Sequence, residues 1–169
     1  MDEMLKITKD ILSKIFSKIK TDIKEKPEYI DKLCTMDSLY EELEKADIIV
    51  SSLPGSKSTY HLFDEEALTH VKKQPIFVNV GRGSLIDSNI LEKALKEHIF
   101  SGAYIDVTDP EPLPKDSSLW NLNNLIITPH VTGGYHLDET LNRIVQISAT
   151  NIQNYCEGKE IINRVNLEV

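Results

Sequence analysis

Positive charge, cysteine and long apolar runs are what this sequence has least of, and each shortage narrows the field. In 169 residues, 19 Lys and Arg stand against 27 Asp and Glu, a net charge of -8. Neither nucleic acid nor an anionic membrane suits such a chain as partner, because both call for a concentrated basic face. There are 2 cysteines, Cys34 and Cys156, and neither has a second cysteine or histidine beside it at metal-ligand spacing. Neither a disulfide framework nor a metal site is therefore expected, and a reducing cytoplasm is. No apolar run approaches the roughly 18 residues of a spanning helix, and the acidic opening MDEM is unlike a signal peptide. Glycine is missing before Gly55, so no glycine-rich phosphate loop precedes that point.

What is present is an ordinary globular composition, 40% hydrophobic and 27% charged, enough for one domain with a respectable core. Four short apolar runs read as buried strands: Asp47–Ser51, the stretch from Ile76 that ends at Asn79, Ala103–Asp106 and Leu125–Thr128. Leu33–Thr35 is a brief fifth candidate, and Ile15–Lys20 fits a strand or the end of a helix over Met4–Phe16. Between the strands, Ser38 with Glu41 forms a capping-box signature for a helix through Lys45. Asp64 is placed to cap a helix through His70, and Asp87 one with Ile90, Leu91, Ala94 and Leu95 on its inner face. A final helix is expected from Asp138 to Glu157, stopped by Gly158, with Ile144, Val145, Ile147, Ser148 and Ile152 turned inward. Buried strands alternating with amphipathic helices specify βαβ units and a parallel sheet.

Open α/β sheets take their ligands at the carboxyl ends of their strands. Three ionisable side chains stand just past such ends: Arg82 in the run VNVGRGSLID, Glu111 among Pro110, Pro112 and Pro114, and His130 after Pro129. Gly81 and Gly83 would let the chain turn sharply around Arg82 and let a flat ligand approach. A guanidinium suits a carboxylate or a polarised carbonyl, an imidazole exchanges protons near neutral pH, and a carboxylate orients the ring. A carboxylate beside an imidazolium also favours the acid form, which protonates a developing alkoxide. The plainer readings are a surface arginine in a turn, a solvated glutamate and a loop histidine. The plainer reading of Asp106 is a turn cap, and His61, His70, His98 and His136 read as surface residues.

The ordered set LPGSKSTYHLF, VNVGRGSLID, GAYIDVTDPEPLP, SLWNL and NLIITPHVTGG resembles the C-terminal half of the D-isomer-specific 2-hydroxyacid dehydrogenases, a group that includes glyoxylate/hydroxypyruvate reductases. The resemblance implies an α/β, Rossmann-like parallel sheet with flanking helices, truncated at its N-terminal edge, plus a long C-terminal helix. Residues 1–135 would be a partial NAD(P)-binding domain without its glycine loop, and residues 136–169 a helix and tail directed toward a substrate lobe. It implies NAD as cofactor, with NADP possible: Lys20 would favour the 2′-phosphate of NADP and Asp22 the free ribose of NAD. Arg82, Glu111 and His130 take the catalytic roles, with hydride transfer between the nicotinamide and a small 2-oxo or 2-hydroxy acid. Ser52, Leu53 and Pro54 would lie beside the adenosine half and the ribose, Val80 and Gly81 would meet the nicotinamide side, and Arg82 and Asp106 would also touch the cofactor, Asp106 near the nicotinamide carboxamide. The absent G-x-G-x-x-G and substrate lobe imply little activity for this chain alone. They leave open a non-catalytic nucleotide-binding or dimerisation module, a homodimer, or pairing with a separate N-terminal half.

Overall fold

Parallel pairing dominates the computed structural model, which describes residues 18–19, 31–134 and 138–164. A short pair, β1 (Lys18–Ile19) and β2 (Leu33–Cys34), forms one small sheet. The main sheet is β3 (Ile48–Ser51), β4 (Ile76–Asn79), β5 (Gly102–Ile105) and β6 (Leu125–Ile127), in that spatial order and all parallel. Its register runs Val50↔Val78↔Tyr104↔Ile126 across the four strands. Helix α1 (Leu39–Leu43) leads into β3, α2 (Glu65–Thr69) joins β3 to β4, and α3 (Ser88–Lys96) joins β4 to β5. The expected helix over Met4–Phe16 and the residues Lys20 and Asp22 lie outside the described residues.

The caps of α2 and α3 form as expected, because each is a local contact. Asp64 accepts from the Ala67 N–H at 2.9 Å and Asp87 from the Asn89 N–H at 2.7 Å. The capping box at Ser38 does not form. A 3-10 turn over Met36–Ser38 carries the chain into α1, and Ser38, at φ -94 and ψ 6, lacks the extended backbone an N-cap hydroxyl needs.

The core sits on one face of the sheet. Ile49, Phe77, Ala103 and Ile105 point to the helices, where Leu43, Phe63, Leu68, Leu91 and Leu95 meet them. Phe77 is fully buried, edge-on to Phe63 at 5.1 Å and stacked on Phe100 at 4.8 Å between centroids. Alternate residues on the opposite face are more open, with Ile76 46% and Ile126 61% exposed. This corrects the expectation of strands buried on both faces. A short apolar run states only that its side chains favour cover, and here helices α1–α3 cover one side.

The chain divides into two compact units, Met1–His130 and Val131–Val169. In the second, α4 (Asp138–Cys156) ends before Gly158, which takes φ +66. Asn151 accepts from the Ile162 N–H and donates to the Ile162 carbonyl, so the segment after the helix folds back along it. The expected inner side of α4 is not buried: Ile144, Val145 and Ile152 are exposed. Among the described residues no helix is long and apolar enough to cross a membrane.

Candidate active site

Backbone hydrogen bonds continue past the strand ends and set four loops side by side. The Val80 N–H donates to the Ser51 carbonyl at 2.9 Å, the Asp106 N–H to the Asn79 carbonyl at 2.9 Å, and the His130 N–H to the Asp106 carbonyl at 2.9 Å. The first residues beyond β3, β4, β5 and β6 therefore lie in one row. Ser52, Leu53 and Pro54 follow β3, Val80, Gly81 and Arg82 follow β4, Asp106 follows β5, and His130 stands beyond β6.

The glycines flanking Arg82 are needed for space. Neither has a positive φ. A Cβ on Gly81 would lie 2.5 Å from the Leu53 carbonyl oxygen, and one on Gly83 would lie 2.0 Å from that of Thr108. The protein's own neighbouring loops thus approach these glycines closely, a constraint beside the turn expected from the sequence. Asn79, 1% exposed, closes the loop: its Nδ2 donates to the Arg82 carbonyl at 2.9 Å and its Oδ1 accepts from the Gly81 N–H at 3.1 Å. Arg82 itself donates from Nη1 to the Gly81 carbonyl at 2.8 Å.

Glu111 and His130, 19 residues apart in sequence, meet directly. Glu111 Oε1 lies 2.7 Å from His130 Nδ1, with both side chains roughly two-fifths exposed. An ionised carboxylate only accepts, so Nδ1 carries the hydrogen and Nε2 is the nitrogen left for proton exchange. His130 takes φ +53, a left-handed conformation uncommon for a residue with a Cβ. Backbone strain of this kind gathers at functional sites.

Asp106, 1% exposed, accepts from the Thr128 hydroxyl, and Thr128 also meets the Tyr104 hydroxyl. Sequence reading passed over Asn79, Tyr104 and Thr128. Their signal was present as polar groups at the ends of, or inside, apolar strands, where a buried polar atom needs a partner. A cavity of about 630 Å³ lies elsewhere, between the starts of α2 and α3, lined by Phe63, Ile90 and acidic side chains including Glu66. None of the predicted site residues lines it.

Residues 9–132 match the family described as D-isomer specific 2-hydroxyacid dehydrogenase, NAD binding domain. The chain belongs to that family. This dehydrogenase NAD-binding domain is 38% identical over 127 residues to a glyoxylate reductase of Korarchaeum cryptofilum (strain OPF8), covering 75% of this chain and 38% of that protein. It is 35% identical over 136 residues to glyoxylate/hydroxypyruvate reductase B of Yersinia pseudotuberculosis serotype O:3 (strain YPIII), covering 80% of this chain and 40% of that one. Among solved structures, a D-isomer specific 2-hydroxyacid dehydrogenase from Xanthobacter autotrophicus Py2, in complex with NADPH and MES, superimposes with a TM-score of 0.75 at 28% identity. That match covers 86% of this chain and 59% of the other. Phosphoglycerate dehydrogenase from Lactobacillus plantarum gives a TM-score of 0.64 at 34% identity, covering 84% and 46%. The dehydrogenase domain spans about two-fifths of the length of the curated relatives it matches. The Rossmann-like parallel sheet expected from the sequence is therefore the fold of this family.

Proposed function

We propose that this chain supplies the nicotinamide end of an NAD(P)-dependent oxidoreductase acting on a small 2-oxo or 2-hydroxy acid. The observation that carries the reading is the Glu111–His130 pair at 2.7 Å, with His130 in the row of strand ends from which the Arg82 loop also starts. His130 Nε2 exchanges a proton with the substrate oxygen while Glu111 holds the ring through Nδ1. The Arg82 guanidinium, with donors beyond the one spent on Gly81, binds the substrate carboxylate and polarises its carbonyl. Asp106 would accept from the carboxamide of the nicotinamide, the backbone of Val80 and Gly81 would meet the nicotinamide side, and Ser52, Leu53 and Pro54 would border the adenosine half and the ribose. When bound, the cofactor supplies or accepts the hydride.

The residues present fit that end of the cofactor: a buried carboxylate, a loop drawn tight by Asn79 and an oriented imidazole. The pyrophosphate loop is a different matter, since no G-x-G-x-x-G occurs in the chain and the first glycine is Gly55. With about two-fifths of the length of its relatives, the polypeptide alone is expected to turn over little. A pairing with a separate N-terminal half, or with a second copy, is the complementary proposal. Two unpaired thiols, Cys34 buried and Cys156 exposed, support placement in the cytoplasm.

The test is complementation. The chain is mixed with an N-terminal half from a family member that carries the G-x-G-x-x-G loop, and NADH and NADPH oxidation is followed with glyoxylate or hydroxypyruvate. Turnover is expected in the mixture and its loss with His130→Ala. Activity that survives His130→Ala would rule out the acid/base assignment. The missing glycine loop favours a second reading, a nucleotide-binding module without catalysis, which predicts micromolar NADH binding by calorimetry and no turnover in any mixture.

A further inference from the structure

Asp106 stands at the carboxyl end of β5 with 1% of its surface exposed. Continuing the sheet register by one residue sets it opposite Thr128, and Tyr104 lies two residues back on the same face. Thr128 Oγ1 is 2.5 Å from Asp106 Oδ1, and Tyr104 Oη is 2.9 Å from Thr128 Oγ1. A threonine hydroxyl has one hydrogen and two lone pairs, and an ionised carboxylate has lone pairs only. The Thr128 hydrogen therefore goes to Asp106. With that hydrogen spent, the Tyr104 phenol must donate to Thr128. Each link has one allowed direction, and the phenol polarises the hydroxyl toward the carboxylate.

We propose that Thr128 and Tyr104 are positioning residues that fix the orientation of the Asp106 carboxylate toward the nicotinamide. The inference rests on the reading of this strand end as the nicotinamide end. Two structural facts favour positioning over plain satisfaction of a buried group. The relay runs along the sheet into the row of strand ends, and the Asp106 backbone is pinned there as well, its N–H to Asn79 and its carbonyl to His130. Main chain and side chain of Asp106 are thus held by different contacts, so removing the relay takes one anchor from the carboxylate and leaves the strand in place.

The experiment uses the full chain with Thr128→Val, Thr128→Ser and Tyr104→Phe, titrated with NADH and separately with ADP-ribose, which lacks the nicotinamide. Thr128→Val is expected to weaken NADH roughly tenfold, the scale of one hydrogen bond to a charged group. Tyr104→Phe should weaken it about threefold and Thr128→Ser should stay within about twofold, since the hydroxyl is kept. ADP-ribose affinity should not change. Equal losses for NADH and ADP-ribose would mean a merely structural role and overturn the proposal. The ¹³C resonance of the Asp106 carboxyl reads the relay without cofactor: it should move in Thr128→Val and Tyr104→Phe and return in Thr128→Ser. A resonance that stays put in both overturns the relay, even with NADH bound. Failure of the unsubstituted chain to bind NADH, both alone and mixed with an N-terminal half that carries the glycine loop, overturns the nicotinamide reading and the positioning role with it, while the resonance still decides whether the relay exists. Thr128→Ser and Tyr104→Phe keep the test decisive should Thr128→Val fail to fold.

Discussion

Replacing Gly83 with alanine tests how the site is assembled. An ideal Cβ there would sit 2.0 Å from the Thr108 oxygen and 2.1 Å from its carbonyl carbon, about 1.4 Å inside the ordinary 3.4 Å contact. Both atoms are backbone, so no rotamer relieves the overlap. Thr108 is not free to retreat alone. Its hydroxyl donates to the Pro110 carbonyl at 3.0 Å, and Ser88 donates to the Asp109 carbonyl at 2.8 Å, which ties the segment to the start of α3. Forcing extra volume into packed structure costs about 1–3 kcal/mol, and a rigid backbone neighbour places Gly83→Ala at the upper end. About 3 kcal/mol is a large share of the roughly 5–15 kcal/mol that holds a domain together. At ~2–4 °C per kcal/mol for a chain of this size, Tm should fall by about 6–12 °C. Circular-dichroism melts and urea titrations measure it. Gly55→Ala is the control, because its methyl would meet only the Arg82 Cγ, at 3.5 Å; it should stay within about 0.5 kcal/mol. Equal melting temperatures for the two variants would refute the steric account. The displaced segment also carries Glu111, so Gly83→Ala should loosen the Glu111–His130 contact, seen in the imidazole resonances of His130.

Phe77→Ala removes the ring held between Phe63 and Phe100 at zero exposure and should cost about 3–5 kcal/mol in urea unfolding; a loss under about 1 kcal/mol would mean that the core has collapsed around the gap. His130→Gly should be more stable than His130→Ala by about 1 kcal/mol, because glycine accepts φ +53 without strain. Identical melts for that pair would mean that the left-handed backbone stores no energy.

The strands were legible because each is a short β-branched or aromatic run ended by glycine, proline or a polar residue. The caps at Asp64 and Asp87 were legible because donor and acceptor lie within three residues of each other. Ser38 shows the limit of such local rules: its sequence neighbours match the motif, and the preceding 3-10 turn gives it the wrong backbone angles. The packing role of Gly81 and Gly83 was hidden for a related reason. Their partners, Leu53 and Thr108, are distant in sequence, and a glycine does not declare whether it serves a turn or a neighbour. Glu111 and His130 came together by a topological rule, that parallel strands end in a common row, joined to a family resemblance. Without the resemblance each had a commonplace alternative. Cover was the least readable property, because the chain that writes an apolar residue does not write what will lie on it.

The sheet is dry on one side and wet on the other. Val50, Ile76 and Ile126 spend the folded state partly in water, on the same strands whose tips carry Arg82, Asp106 and His130. Cover over that face therefore bears on the same four strands that hold the row of loops at their carboxyl ends.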